Sequence, residues 1–352
     1  MGTHAVEVVV VGSYMSSDEE AIQVLRFDSQ TGSLEYFTGI SGIEAPSYLT
    51  MNSTGERLYA VSEVEEGELV AYGFDKEEKK LQEINRQSTK GAAPCFVSLD
   101  PSEHYVFTVN YLGGNVLAFP IEDKGSVGPI MDSITHSGHS VHAERQEAPH
   151  PHTIVTVPAT RDQLVTDLGT DHVYIYRNEA EDGKHHWILN DQIEATPGSG
   201  PRHVAFHPNK RLIYILHELN STIAVYAVDD QEHFHLLDTI STLPKGFDEE
   251  NTAADIHLSP DGRFLYASNR GHDSIVTFNI SENGKLENKV FTPTLGKTPR
   301  NFLITPSGKH LLVANQDSDS IVVMDINDEG VPVANGHTYT IKKPVCLSYK
   351  KL

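Results

Sequence analysis

The chain reads as an all-β protein, one seven-bladed β-propeller domain over residues 1–352. Three observations predict this. One segment pattern recurs seven times at blade spacing, helical periodicity is nowhere sustained, and the two chain ends supply complementary parts of one unit.

The recurring segment is PSYLTMNSTGERLYAVSE from Pro46, PCFVSLDPSEHYVFTVNY from Pro94, PHTIVTVPATRDQLVTDL from Pro151 and PRHVAFHPNKRLIYILHE from Pro201. It continues as AADIHLSPDGRFLYASNR from Ala253, PRNFLITPSGKHLLVANQ from Pro299 and the shortened PVCLSYKKL from Pro344. The successive steps are 48, 57, 50, 52, 46 and 45 residues, the length of a four-stranded blade. Each unit predicts a short alternating strand, a turn such as Pro260-Asp261-Gly262, a second strand, a third such as SIVTFNI, and a weaker fourth.

The last unit holds only its first strand. At the other end of the chain, VEVVVVGSY matches a second strand, AIQVLRF a third and SLEYFTGI a fourth. Pairing the N-terminal strands with the C-terminal strand closes the ring and removes the exposed sheet edges of an open array. Two unrelated β-sandwiches would fill the same length, but they leave the match of the two ends unexplained.

With 49 Asp and Glu against 27 Lys and Arg, the formal net charge is −22. No run of basic residues tracks a phosphate backbone, so nucleic acid and anionic membrane surfaces are excluded as partners. An anionic small molecule would need arginines concentrated locally. Cys95 and Cys346 stand far apart with no CxxC or Cys/His spacing, which points to neither a disulfide framework nor a zinc site and favours a reduced, cytoplasmic location. The apolar N-terminal stretch is too short and too β-branched for a signal sequence or a spanning helix, and Val6 denies the Met-Gly start a myristoylation signal.

In a blade the first strand lines the central channel and the second returns beside it, so the start of one and the end of the other share a mouth. The position after the leading proline holds Ser47, Cys95, His152, Arg202, Ala254, Arg300 and Val345. The positions closing the second strand hold Ser62-Glu63, Asn110-Tyr111, Asp167-Leu168, His217-Glu218, Asn269-Arg270 and Asn315-Gln316. Ionisable residues gathered in some blades and absent from others mark a site on a pseudo-symmetric scaffold. Asn110 and Asn315 also suit a turn device that hydrogen-bonds its own backbone. Asp255, one step past Ala254, faces the opposite way if its strand alternates. The stretch THSGHSVHAERQEAPHPH places His136, His139, His142, His150 and His152 within seventeen residues. No matching carboxylate spacing makes it a metal site, so it reads as a cap loop over the mouth.

A histidine, a glutamate and several arginines around a wet mouth offer a general base and guanidinium forks for a carboxylate, a phosphate or a developing oxyanion. No GxSxG, P-loop or dinucleotide fingerprint accompanies them. That favours activated water or a proton shuttle, with no cofactor and no metal.

The segments RQEAPHPH, GSGPRHVAFHP, HELNSTIAVY, ENTAADIHLSPDGRFLYASNRG and TPRNFLITPSGKHLLVANQDSDSI together resemble the bacterial seven-bladed propeller lactonases, the 6-phosphogluconolactonase family, across essentially the whole chain. The pattern is also similar to the fungal carboxymuconate lactonizing enzyme, and by motif this resemblance implies an active site of His152, Glu218, Arg202 and Arg270. The activity it implies is hydrolysis of 6-phosphoglucono-δ-lactone to 6-phosphogluconate in the oxidative pentose phosphate pathway. Glu218 or His152 would activate water, Arg202 or Arg270 would stabilise the oxyanion, and Arg300 with Arg145 would bind phosphate. His203, His217, Asn269, Asp255 and Asn315 are expected to help line the substrate site. The alternatives are another acidic lactone, a cycloisomerase reaction, or a non-catalytic interaction platform.

Overall fold

The computed structural model describes residues 6–158, 160–179 and 185–352. They form seven four-stranded antiparallel sheets, and the helical segments among them are the single turns Asp123–Gly125 and Gln316–Ser318. The blade that begins at Pro201 is representative, with strands Pro201–Phe206, Leu212–His217, Thr222–Val228 and Phe234–Ser241. Its second strand, LIYILH, is buried throughout because neighbouring blades cover both faces. Its fourth strand, FHLLDTIS, lies at the rim and alternates between half-buried and exposed positions. In the next blade the tight turn between the first two strands needs Gly262, whose φ of +73° lets its amide reach the Ser259 carbonyl at 2.9 Å.

The apolar core lies between blades. One cluster, for example, joins Leu212, Leu216 and Val225 of the Pro201 blade to Ile256, Leu265 and Phe278 of its successor. Fully burying each such aliphatic side chain contributes about 1.5–3 kcal/mol, so the blades hold one another rather than standing alone.

The ring closes as the two chain ends predict. Pro344–Lys351 is the inner strand and pairs antiparallel with Glu7–Ser13, followed outward by Ile22–Phe27 and Leu34–Ile40. The register runs from Glu7 opposite Lys351 to Ser13 opposite Pro344. The blade from Pro46 departs from the pattern, since its inner strand is only Leu49–Met51.

A β-bulge recurs where most inner strands begin. The ladder passes over Cys95, His152, Arg202, Arg300 and Val345, and in the Ala253 blade it passes over Ala254 and Asp255. A bulge suspends strict alternation, so two consecutive side chains turn toward one region. Simple alternation past Ala254 therefore does not hold here, and Asp255, expected to help line the substrate site, stands one layer below the mouth. Ser47 and Tyr48, Arg202 and His203, and Arg300 and Asn301 line the channel in pairs, and Asp255 joins the deeper ring through His203 and Asn301.

Candidate active site

Glu218 is the centre of the mouth. Its amide bonds the Gly200 carbonyl at 2.7 Å, which fixes it just beyond the second strand beside the start of the first. Its Oε1 accepts from Arg145 at 2.6 Å, and its Oε2 accepts from Arg202 Nε at 2.9 Å and lies 3.0 Å from Arg270 Nη2. Burial alone would raise the pKa of this carboxyl. The guanidiniums of Arg270, Arg202 and Arg145 outweigh it and hold Glu218 ionised far below the usual carboxylate range.

The four arginines differ in how much of each is spent. Arg202 is 2% exposed and donates to Glu218, to His203 Nε2 at 3.1 Å and to the Ala254 carbonyl. Arg270 donates to the Thr252 and Ala253 carbonyls as well as to the carboxylate. Arg145 comes from the histidine-rich loop, bonds Tyr111 Oη at 3.2 Å and is 37% exposed. Arg300 makes no hydrogen bond among the described residues. It lies over the Tyr14 ring at 5.2 Å, with Glu63 as its nearest carboxylate at 3.9 Å.

His152 stands beside this cluster, packed edge-on to Tyr111 and His203 with ring centroids 5.7 and 5.2 Å away. Burial, followed by the charge of Arg202, pushes its pKa well below the histidine range, and its Nδ1 has no hydrogen-bond partner. One layer deeper, Asp255 accepts from His203 Nδ1 at 2.8 Å, His257 Nε2 at 2.9 Å and Asn301 Nδ2 at 2.6 Å. That contact places the His203 proton on Nδ1 and leaves Nε2 to accept from Arg202. Asp255 and His203 thus brace Arg202 from below.

Three sequence-selected residues stand elsewhere. His217 bonds Thr222 Oγ1 at 2.9 Å, and burial lowers its pKa to about 4. Asn269 and Asn315 donate to the Thr242 and Thr294 carbonyls at 2.9 and 3.0 Å, and Asn110 does the same to Thr89 at 3.0 Å. Each of those threonines directly follows the outer strand of the preceding blade. These asparagines therefore latch blade to blade, which corrects both their expected place in the substrate site and the own-backbone turn reading. Alternation explains the error: the residue one step later turns to the mouth.

That later column also holds Glu63, Tyr111 and Tyr14, which the sequence reading left unassigned. Tyr14 occupies it in the closing blade, with its amide on the Lys343 carbonyl at 3.0 Å and its hydroxyl donating to Glu63 at 2.8 Å. The signal was their position beside Glu218 and Arg270 in the alignment. The histidine loop is pinned by protein contacts. His136 bridges Asp167 at 2.6 Å and Tyr176 at 2.9 Å, and His150 stacks on Tyr111 and bonds its carbonyl at 2.9 Å. Among the described residues, no group of three His, Cys, Asp or Glu side chains is placed to hold a metal ion.

Fold and site together define a propeller enzyme with a guanidinium-lined polar mouth. The family model for the seven-bladed β-propeller lactonases matches residues 8–349, and the chain belongs to that family. It is 33% identical over 300 residues to a 6-phosphogluconolactonase of Bacillus subtilis, covering 83% of each chain. It is also 33% identical over 302 residues to one of Formosa agariphila, covering 84% of this chain and 85% of that one. The solved structure of a periplasmic gluconolactonase from Pseudomonas aeruginosa superposes with a TM-score of 0.88 at 30% identity, covering 98% of this chain and 99% of that one. A Bacteroides fragilis structure reaches a TM-score of 0.92 at 31% identity, covering 100% and 99%. The chain is a lactonase, and its substrate is a small-molecule lactone.

Proposed function

We propose that this lactonase hydrolyses 6-phosphoglucono-δ-lactone to 6-phosphogluconate, the step that serves the oxidative pentose phosphate pathway. The observation that carries the reading is the charge of the mouth. Arg145, Arg202, Arg270 and Arg300 gather there around Glu63 and Glu218, a local concentration of guanidinium charge inside a chain of net charge −22. A buried cation without a hydrogen-bonded partner is expensive unless an anion completes it, and Arg300 with the half-exposed Arg145 suits a phosphate.

Glu218 anchors three guanidiniums and is too weak a base to take a proton. His152, kept neutral at physiological pH, takes it instead. As water adds to the lactone carbonyl, the proton passes to His152 and charge grows on the carbonyl oxygen, where Arg270 meets it. Collapse of the adduct breaks the ring C–O bond, and the departing alkoxide recovers the proton from His152. Arg202, fully committed to Glu218, His203 and Ala254, holds this geometry. Both cysteines are free and buried, in keeping with a cytoplasmic enzyme. Among the described residues no helix is long and apolar enough to cross a membrane.

The test compares lactone generated in situ with and without the phosphate, subtracting spontaneous hydrolysis. The expected result is a higher kcat/KM for the phosphorylated lactone and a KM for it raised by about 10–100-fold in Arg300→Ala. Equal turnover of both lactones by the native protein would instead assign the mouth to an unphosphorylated sugar lactone.

A further inference from the structure

Beneath the mouth, between the two rings of channel side chains, lies a cavity of about 10 Å³ bounded by Ser47, Cys95, His152, Arg202, Arg300 and Asn301, among others. That is room for about one water molecule. Two buried polar atoms in its walls, Ser47 Oγ and His152 Nδ1, have no hydrogen-bond partner in the protein. Buried hydroxyl and imidazole groups rarely stay unpaired, and a polar-walled cavity of one-water size is where solvent satisfies them. Ser47 lies just before the short inner strand of the Pro46 blade, and its hydroxyl bonds no other group among the described residues.

We infer that this cavity seats the water that opens the lactone ring, with Ser47 as its positioning residue. This rests on the hydrolytic reading above and extends it to the origin of the nucleophile. The water donates one hydrogen to His152 Nδ1 and the other to Ser47 Oγ, leaving its oxygen free to face the carbonyl in the mouth. On attack the new C–O bond forms, the first proton moves to Nδ1, and the ring oxygen leaves with that proton as the adduct collapses. The second hydrogen leaves as the product acid ionises. Seating also imposes a size limit, because a pocket fitted to one water excludes methanol, which is chemically a comparable nucleophile.

Two variants and one structure test this on whichever lactone the native protein turns over. Ser47→Val fills the cavity, and the expected result is a kcat lower by about 10²-fold with KM within about two-fold and an unchanged melting curve. Ser47→Gly enlarges it. In mixed methanol and water the native protein should yield only the acid, whereas Ser47→Gly should also yield the methyl ester. A high-resolution crystal structure of the native protein should show solvent bridging Ser47 Oγ and His152 Nδ1. The inference is overturned if no solvent lies there, if Ser47→Val keeps its kcat, or if the native protein and Ser47→Gly give the same ester-to-acid ratio. Solvent present with both variants behaving as native would make it a structural water only, and that outcome also overturns it. If the native protein hydrolyses no lactone, the hydrolytic reading fails first, and the crystal structure still reports on the cavity.

Discussion

At the scale of single residues, one carboxylate organises three arginines, and removing its charge has a structural cost. Glu218→Gln leaves Arg145, Arg202 and Arg270 without their counter-ion. Truncating one partner of a buried pair typically costs about 3–5 kcal/mol, so chemical denaturation should show a loss of that order together with lost activity. His152→Asn should behave differently, lowering kcat by about 10²–10⁴-fold while the unfolding midpoint barely moves. The pH profile follows from the direction of its shift. A histidine held well below 6.5 stays in its base form as pH falls through 6.5, so kcat/KM for an unphosphorylated lactone should show no acid limb there. A limb near 6.5 with that substrate would mean that a histidine of ordinary pKa supplies the base. With the phosphorylated lactone, an inflection near pH ~6 belongs to the phosphate itself.

At the scale of elements, the asparagine column and the neighbouring glutamate column differ by one residue and do unrelated work. Asn315→Ala removes the latch to Thr294 and should lower stability by about 1–3 kcal/mol with kcat/KM unchanged. Gly169 is a second case, since a Cβ there would overlap the Ala148 carbonyl in the loop that carries Arg145. Gly169→Ala should therefore raise KM for the phosphorylated lactone more than it lowers kcat, which steady-state kinetics would show. The blades were legible in the sequence because strand alternation and turn residues repeat with them. The convergence of Arg202, Arg270, Arg300 and Glu218 was legible because blade geometry sends fixed alignment columns to one mouth. The inner-strand bulge was not legible, since it is a slip in hydrogen-bond register with no composition of its own. Plain alternation past Ala254 does not hold across it, so Asp255 lies in the deeper ring with His203 and Asn301. The same limit put His217, Asn269 and Asn315 at the mouth, because an alignment fixes where a residue stands but not which side of the strand it faces.

At the scale of the molecule, several histidines are buried neutral, and they couple stability to pH. For His203 burial comes first and the charge of Arg202 second, lowering its pKa to about 4, while His152, His185, His207 and His217 shift in the same direction. Each takes up its proton at a lower pH when folded than when unfolded, so the unfolded state binds more protons below about 6.5 and stability falls with acidification. His203 alone would cost ~2 kcal/mol by pH 5. His257, raised by Asp255 against its own burial, acts in the opposite direction and favours the folded state more as pH falls. Melting temperatures from pH 7.5 to 5 should drop steadily, and a flat series would overturn a net destabilisation by these side chains.

The ring joins its own ends. Leu352 donates its amide to the Val6 carbonyl at 2.8 Å, so the last residue described lies beside the first. Geometrically the circle has no required starting point, and a chain joined there by a short linker and cut instead in a loop between two other blades would meet the same neighbours throughout. Such a circular permutant should assemble the same mouth, with Tyr14, Glu63 and Arg300 still converging although their order along the chain has changed.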